Sequence, residues 1–403
     1  MKKFKLHWQI LLALVLAVLF GIYLKEYVAY VEWMGTVFLR ALKMIIVPLI
    51  LSSVVSGVAN LGGAENLGRL SLKTVGYYLM TTTLALFTGL LFVNVLKPGL
   101  GADLNLAASV QLDVTPDTLG STLINIIPDN LFSAFSDNSQ MLSVIFFSIL
   151  FGFFITRVSK NYQKPLKDFF NAVFEVMMKL TMFIIKFTPF GVFGLVAAKV
   201  AEQDNLLSLM QSMGMYMLAV TGGLFVHFFI TLPLIVRFLG KSNPVKHFRA
   251  MRIPILTAFS TSSSGATLPL TMEAVEYNAG VPKKISSFTL PLGATINMDG
   301  TALYECVAAI FIAQAYGMDL SIIQQLLVVV TGLLASIGAA AVPMAGLVMI
   351  SIILSVVGLP LEGIGLILAV DRILDMFRTA TNVWSDSCGA VVIAKSEKEK
   401  INY

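Results

Sequence analysis

Charge is scarce in this 403-residue chain: Asp, Glu, Lys and Arg make up 13% of it, against 57% hydrophobic residues. That balance excludes an ordinary soluble domain and, with a positive mean hydropathy, places the protein in a membrane. Cysteine is nearly missing. Cys306 and Cys388 both fall in apolar stretches, which excludes a disulfide framework and leaves them as small apolar fillers. The three histidines, His7, His227 and His247, fall at span ends or lipid-facing positions and are expected to be inert. No Ser/His dyad and no paired-aspartate motif is present, which argues against an intramembrane protease. No Gly-rich phosphate loop followed by Lys-Ser/Thr is present either, so ATP is not the expected energy source. The net charge of +5 resides in short loops and carries topological information rather than nucleic-acid affinity.

Where Lys and Arg are missing is informative. Lys2, Lys3 and Lys5 precede a first apolar stretch, about 8–24, which has no small-residue cleavage site and leads into a second, so it reads as a retained helix. Further spans are expected at about 33–59, with Pro48 as a kink, and 70–96. Between Lys97 and Arg157 there is no basic residue, while Asp103, Asp113, Asp117, Asp129 and Asp137 occur, so that connection is expected outside. Spans at about 140–156, 168–198 and 206–236 follow, the first ending at Arg157, Lys160, Lys164 and Lys167 and the last at Arg237, Lys241, Lys246, Arg249 and Arg252. Lys and Arg thus fall on alternate sides, and the positive-inside rule puts both termini in the cytoplasm of a plasma (inner) membrane protein. The tail at 395–400 reads as a solvated end with no further role.

Beyond Arg252 the apolar segments are interrupted. Stretch 253–280 contains Ser260-Thr-Ser-Ser-Ser-Gly-Ala-Thr-Leu-Pro269, and stretch 322–357 contains Ser336-Ile-Gly-Ala-Ala-Ala-Val-Pro343. Hydroxyls, glycine and proline break a continuous helix. Each is followed by a segment with intramembrane acids, so the pattern is an internal repeat. Arg252, Lys283 and Lys284 flank the first, whereas no Lys or Arg occurs between Lys284 and Arg372, so the two repeats are expected to be inverted. Paired broken segments of this kind point to a transporter whose site is built from half-helix ends near the midplane.

The last apolar segment, about 364–395, carries Asp371, Asp375, Arg378, Thr379, Asn382 and Asp386 within roughly a 100° arc of one helix face. Each ionisable group at the bilayer centre costs about 2.5–3.5 kcal/mol, so such a stripe must face protein, water or ligand. Interhelical ion pairing is the plain explanation, but the acids outnumber the guanidinium groups, and added cations would resolve the excess. In Asn297-Met-Asp-Gly-Thr301, Asn297, Thr301 and Glu305 share a helical face and Asp299 points away, with Gly300 as the expected site of unwinding. Unwound carbonyls beside Asn and Asp are hard oxygen donors suited to Na⁺. Glu305 has no basic neighbour in sequence; buried, it is a candidate proton carrier, the alternative being a permanently protonated structural Glu.

These motifs resemble the dicarboxylate/amino acid:cation symporters, within them the glutamate/aspartate transporters of prokaryotes and animals. The match spans nearly the whole chain and is strongest over about 257–395. The resemblance implies an all-α polytopic membrane protein of eight transmembrane helices and two re-entrant helical hairpins in inverted repeat, assembled as a homotrimer in the lipid bilayer. It implies a scaffold from 1–69 and 99–205, and a moving transport domain from 70–98 and 206–403, with hairpins at about 245–280 and 320–357.

The same resemblance implies roles for individual residues. Arg378 would clamp the side-chain carboxylate of L-glutamate or L-aspartate, Asp375 would take its ammonium, and Thr379, Asn382, Thr301, Ser264, Val342 and Gly346 would complete the pocket. For Na⁺, one site would use Gly293, Asn297, Asn382 and Asp386, and a second Tyr78, Thr81, Thr82, Asn297 and Asp299. A third would use Thr295, Ser336, Ile337 and Ala339. Glu305 stands where animal members carry a proton. No organic cofactor is implied; Na⁺, with H⁺, is the coupling ion.

The sequence also departs from the family. Ser262 and Met376 occupy positions where archaeal and animal members respectively place an arginine, which leaves Arg372 as a substitute or as a partner for Asp371. Ala341, Met344 and the pair Trp384-Ser385 are further departures. A C4-dicarboxylate carrier has no ammonium for Asp375 to hold, and a neutral amino acid carrier has no use for Arg378. A proton-only symporter and an anion channel are the remaining alternatives.

Overall fold

The computed structural model describes residues 6–61, 68–100, 127–136, 140–202, 206–338 and 345–402. Helices make up the architecture, with no strand among the described residues, as lipid demands when every backbone N–H and C=O must be satisfied within its own segment. Helices α1 (Leu6–Tyr23), α2 (Glu32–Leu61), α3 (Gly68–Leu96), a short α4 (Leu131–Ser136) and α5 (Met141–Ile155) come first. Pro48 is retained inside α2.

The fifth expected span, 168–198, is corrected. It begins earlier and consists of two helices, α6 (Lys160–Ile185) and α7 (Thr188–Glu202), bent by 52°. Pro189 has no N–H to reach back to Ile185, so the helix restarts at Thr188. Next, α8 (Leu206–Val226) runs through a π-helical turn, His227–Thr231, into α9 (Leu232–Phe238).

The first broken stretch is a pair of helices packed on each other, α10 (Pro244–Thr261) and α11 (Ser264–Glu273), leading through a π-helical turn, Ala274–Asn278. Asn243 caps α10, its side chain accepting from the Val245 and Lys246 amides. Ser262 ends it in the left-handed region at φ 51°, and Ser263 caps α11 by accepting from the Ala266 amide. Helices α12 (Lys283–Ile296), α13 (Asp299–Ala315), α14 (Ile322–Gly338), α15 (Ala345–Val356) and α16 (Ile364–Ser396) follow.

Among the described residues, four helical runs are long and apolar enough to cross a membrane: α2, α3, α8–α9 over Met210–Phe238, and α12–α13 over Lys283–Ala315. The bent α6–α7 pair adds a fifth, and α1, α5 and α14 are shorter apolar helices. Helix α16, 33 residues and about 50 Å long, differs from these in carrying the polar stripe. Exposed apolar side chains such as Leu12, Leu16 and Leu19 on α1 and Leu91 and Val95 on α3 form faces that only an apolar solvent would tolerate in number.

Two packing groups emerge. Helix α1 lies on α7, and α2 lies on α5, α6 and α7. In the other, α3 lies on α13 and α8, while α16 lies on α10, α12, α13 and α8; the groups meet where α16 lies on α7 and where α14 and α15 lie on α2. Close approach in the first group runs through small residues; Gly35 and Gly194 leave no room for a Cβ against each other's helices. At the centre of the second, every residue of α13 except Gln314 is buried.

The C-terminal tail is not the solvated end expected. Glu397 pairs with Arg69 at 2.5 Å and Lys73 at 2.6 Å, and Glu399 with Lys284 at 3.0 Å. The Asn402 amide donates to the Ala279 carbonyl at 2.9 Å and its side chain to the Asn278 carbonyl at 3.0 Å. Gly280, at φ 78°, is where this contact requires the absence of a side chain.

Candidate functional site

The site begins where helix fails. Between α12 and α13, Asn297 (φ −95°, ψ 75°) and Met298 (φ −107°, ψ 57°) leave the helical region. Unwinding was expected at Gly300; it occurs two to three residues earlier, and Gly300 lies in the first turn of α13. A Cβ on Gly300 would sit 2.5 Å from the Arg378 carbonyl oxygen, so this glycine serves the close passage of α13 and α16. Its amide donates to Asn382 Oδ1 at 2.7 Å, and Asn382 Nδ2 donates to Thr301 Oγ1 at 3.1 Å.

Around the break, oxygen atoms converge from three helices. Asn297 Nδ2 donates to Asp386 Oδ1 at 2.9 Å and to Ser385 Oγ at 3.0 Å. Thr81 Oγ1 lies 3.1 Å from Asn297 Oδ1, and Thr82 Oγ1 donates to Asp299 Oδ1 at 2.7 Å. Tyr78 donates to the Thr289 carbonyl at 2.6 Å. Gly293 leaves no room for a side chain: a Cβ would come within 2.5 Å of Asp386 Oδ1 and 2.7 Å of the Tyr78 hydroxyl. The residues of the first two expected cation sets are therefore one continuous network. Tyr78, Thr81, Thr82, Asn297, Asp299, Asn382 and Asp386 are all buried in it.

One turn away, Arg378 Nη2 lies 2.8 Å from Asp375 Oδ1 and 3.1 Å from Asp371 Oδ1. The Tyr304 hydroxyl donates to Asp371 Oδ1 at 2.7 Å, and the Tyr304 ring lies under the guanidinium, 3.8 Å from centroid to Cζ. Arg378 is 1% exposed, yet its Nε and Nη1 have no partner, and neither have Asp371 Oδ2, Glu305 Oε1 and Ser262 Oγ. Buried polar atoms are normally paired, so a guanidinium with two free donor nitrogens has the donors to take an anion. Gly346 of α15 covers it; a Cβ there would be 2.7 Å from Nη1.

Arg372 pairs with Asp375 Oδ2 at 3.4 Å, not with Asp371 as one alternative had it. Thr301, Thr379 and Ser264 are buried beside these groups on α13, α16 and the first turn of α11. Of the third expected set, Thr295 and Ser336 are the two members whose side chains are described. Thr295 is exposed and its hydroxyl turns to the Leu292 carbonyl, while that of Ser336, on α14, turns to the Leu333 carbonyl. Ala339 and Val342, with the departures Ala341 and Met344, lie outside the described residues, as does the side chain of Ile337.

Several participants escaped the sequence reading. Tyr304 looked like a core aromatic; only its place one turn from Thr301 hinted at the pocket. Ser385 donates to Asp299 Oδ2 at 2.6 Å, and its position beside Asp386 was the available signal. Two of the histidines are a plain correction, for neither is lipid-facing. His227 is fully buried with Nε2 3.1 Å from Asp299 Oδ2. His247 is fully buried too, its ring stacked on Trp384 with centroids 4.9 Å apart.

A buried fork for an anion, an acid beside it and a neighbouring cluster of oxygen donors, all inside a bundle of apolar helices, define a membrane transport protein rather than an enzyme. The chain belongs to the sodium:dicarboxylate symporter family, whose model matches residues 6–396. It is 36% identical to the proton/glutamate-aspartate symporter of Escherichia coli strain K12 over 98% of this chain and 93% of that protein. It is 36% identical to the proton/sodium-glutamate symport protein of Geobacillus stearothermophilus, over 98% and 96%. The mouse excitatory amino acid transporter 3 is 37% identical over 98% of this chain and 86% of the transporter.

Proposed function

We propose that the protein is a secondary active symporter of L-glutamate or L-aspartate, driven by sodium and protons. The observation that carries this is Arg378: a buried guanidinium with Nε and Nη1 free, flanked by Asp375, next to the oxygen network of Asn297, Asp299 and Asp386. The guanidinium takes the side-chain carboxylate in its fork, Asp375 takes the ammonium, and Thr301, Thr379, Asn382, Ser264, Val342 and Gly346 surround the remainder. An acidic amino acid enters with one net negative charge into a negative interior, and each elementary charge moved against 100 mV costs about 2.3 kcal/mol. Cations entering with the substrate reverse that cost. Sodium binds at the oxygen cluster and at a set comprising Thr295, Ser336, Ile337 and Ala339, and Glu305 carries the proton. The free Oε1 of Glu305 supports that last role.

In this reading the fold comprises eight spans and two re-entrant hairpins, α10–α11 and α14–α15, in a plasma membrane with both termini inside. The group of α3 and α8–α16 forms a transport domain that slides as an elevator against a trimeric scaffold of α1, α2 and α4–α7. The denser packing within each group than between them supports the division. Reconstitution in proteoliposomes, with uptake of labelled glutamate and aspartate read under separately imposed sodium, proton and potassium gradients, tests the proposal. Uptake at full rate under a pH gradient in sodium-free medium would refute sodium coupling. That outcome corresponds to the second reading, proton-only coupling, which the same free Oε1 of Glu305 favours.

A further inference from the structure

The π-helical turn at His227–Thr231 sits in the middle of the α8–α9 span, and its first two residues are tied to Ser385 and Trp384 of α16, His227 through the shared Asp299 carboxylate of α13 and Phe228 directly. His227 Nε2 lies 3.1 Å from Asp299 Oδ2, and Ser385 Oγ donates to the same oxygen at 2.6 Å. Beside them, the Phe228 carbonyl accepts from Trp384 Nε1 at 3.1 Å. A π-helical turn inserts a residue into the helix and leaves carbonyls without their i+4 partners, so it can offer one to a side chain and swing its neighbour inward. Here it does both. His227 and Asp299 are fully buried, and Asp299 also accepts from Thr82 through Oδ1. A carboxylate holding three donors is an acceptor throughout, which assigns the imidazole proton to Nε2 and leaves Nδ1 bare, consistent with its having no partner.

We propose that His227 and Ser385 are positioning residues for Asp299. They pin Oδ2 from two helices, fixing the plane of the carboxylate so that Oδ1 faces Thr82 and the neighbouring Thr81–Asn297 pair where a sodium ion is to be held. The Trp384–Phe228 bond locks the π-helical turn that presents His227. The inference rests on the reading of Asp299 as a sodium ligand. Groups behind a metal ligand commonly govern affinity by 10–100-fold through orientation alone, without touching the ion.

The test is glutamate uptake against sodium concentration in proteoliposomes carrying His227→Ala, His227→Gln, Ser385→Ala or Asp299→Asn, together with the sodium-induced rise in melting temperature of each purified protein. His227→Ala is expected to raise half-saturating sodium about tenfold or more, with the glutamate KM at saturating sodium unchanged. His227→Gln, which keeps an N–H donor, is expected to recover most of that shift. Ser385→Ala removes a single hydroxyl and is expected to raise half-saturating sodium several-fold, which keeps the idea testable if His227→Ala fails to fold. A packing role alone predicts that Ala and Gln at 227 lower sodium-free stability alike and leave the sodium curve in place; that result overturns the proposal, as does an unchanged sodium curve in Ser385→Ala. Asp299→Asn separates the two levels. Unaltered sodium activation in that variant removes the sodium reading of Asp299, whereas its loss there with normal curves in the 227 and 385 variants removes only the positioning role.

Discussion

Tyr304 lies flat beneath Arg378, its ring centroid 3.8 Å from the guanidinium carbon. The phenol hydroxyl reaches past the guanidinium to Asp371 Oδ1, so one side chain supports the cation's face and one of its two counter-charges. A cation–π contact shielded from water contributes about 2 kcal/mol, and a charge-assisted hydrogen bond about 1.5–3 kcal/mol. Tyr304→Phe keeps the ring and is expected to weaken glutamate binding several-fold, while Tyr304→Leu loses both contacts and about a hundredfold. Arg378→Ala is expected to abolish acidic amino acid transport in a protein that still folds. Equilibrium binding to the purified variants checks the order, and near-native glutamate affinity in Arg378→Ala would remove the residue from the site.

Asp375 stands between two guanidinium groups, 2.8 Å from that of Arg378 and 3.4 Å from that of Arg372. If it also receives the substrate ammonium, Asp375→Asn must weaken glutamate far more than succinate, which has no ammonium to hold. Competition of both compounds against labelled aspartate measures the difference. An equal loss for the two would mark Asp375 as a partner of the arginines alone.

The stripe on α16 was legible because helical periodicity survives in any long span: Asp371, Asp375, Arg378, Thr379, Asn382 and Asp386 are all buried where a 100° repeat put them. The break in the Asn297 segment was legible in kind but misplaced, since the glycine there answers to a passing helix rather than to local unwinding. His227 was misread because a π-helical turn rotates the register without leaving a mark in hydropathy. The tail was misread for a different reason. Glu397 meets Arg69 across 328 positions of sequence, and pairings of that range are set by packing, which no local window contains.

Gly293 is the narrowest point of the oxygen cluster, where an added Cβ would meet Asp386 Oδ1 at 2.5 Å and the Tyr78 hydroxyl at 2.7 Å. These neighbours come from α16 and α3 and are held by hydrogen bonds to Asn297 and Thr289, so Gly293→Ala must displace one of them. Half-saturating sodium is expected to rise at least tenfold, a shift of about 1.4 kcal/mol, with the substrate specificity profile retained. Sodium titration of uptake in the variant checks this; an unshifted curve would place the ion elsewhere.

At the C-terminal end of α16, hydrogen bonds from Arg69 and then Lys73 hold the Glu397 carboxyl down to about 2, below its usual value near 4.5. A depressed carboxyl stabilises the folded tail above its unfolded value and loses that contribution as pH falls from about 4.5 toward 2. Exposure of Arg69 keeps the contribution small. Hydrogen exchange of residues 397–402 is expected to be slow and insensitive to pH between 6 and 8 beyond the intrinsic rate, and fast at neutral pH in Glu397→Gln. Equal protection in the variant would show that Asn402 and the Glu399–Lys284 pair fasten the tail without Glu397.

Glu305 is 1% exposed on α13, one turn from Thr301, with Oε1 lacking a partner. An ionised carboxylate there is sustained only by a counter-charge, and the Arg378 guanidinium already answers to Asp371 and Asp375. The group is therefore suited to enter the cycle protonated and to release its proton on the far side. Glu305→Gln fixes the neutral state, keeps the shape and removes the exchange. In proteoliposomes the variant is expected to retain sodium-driven glutamate uptake, to lose the acceleration produced by an inward proton gradient, and to carry no proton current alongside substrate. Exchange of internal for external glutamate, which needs no net proton movement, is expected to continue. A variant that still responds to the pH gradient would assign the proton to another carboxylate, with Asp371 and its free Oδ2 the next candidate.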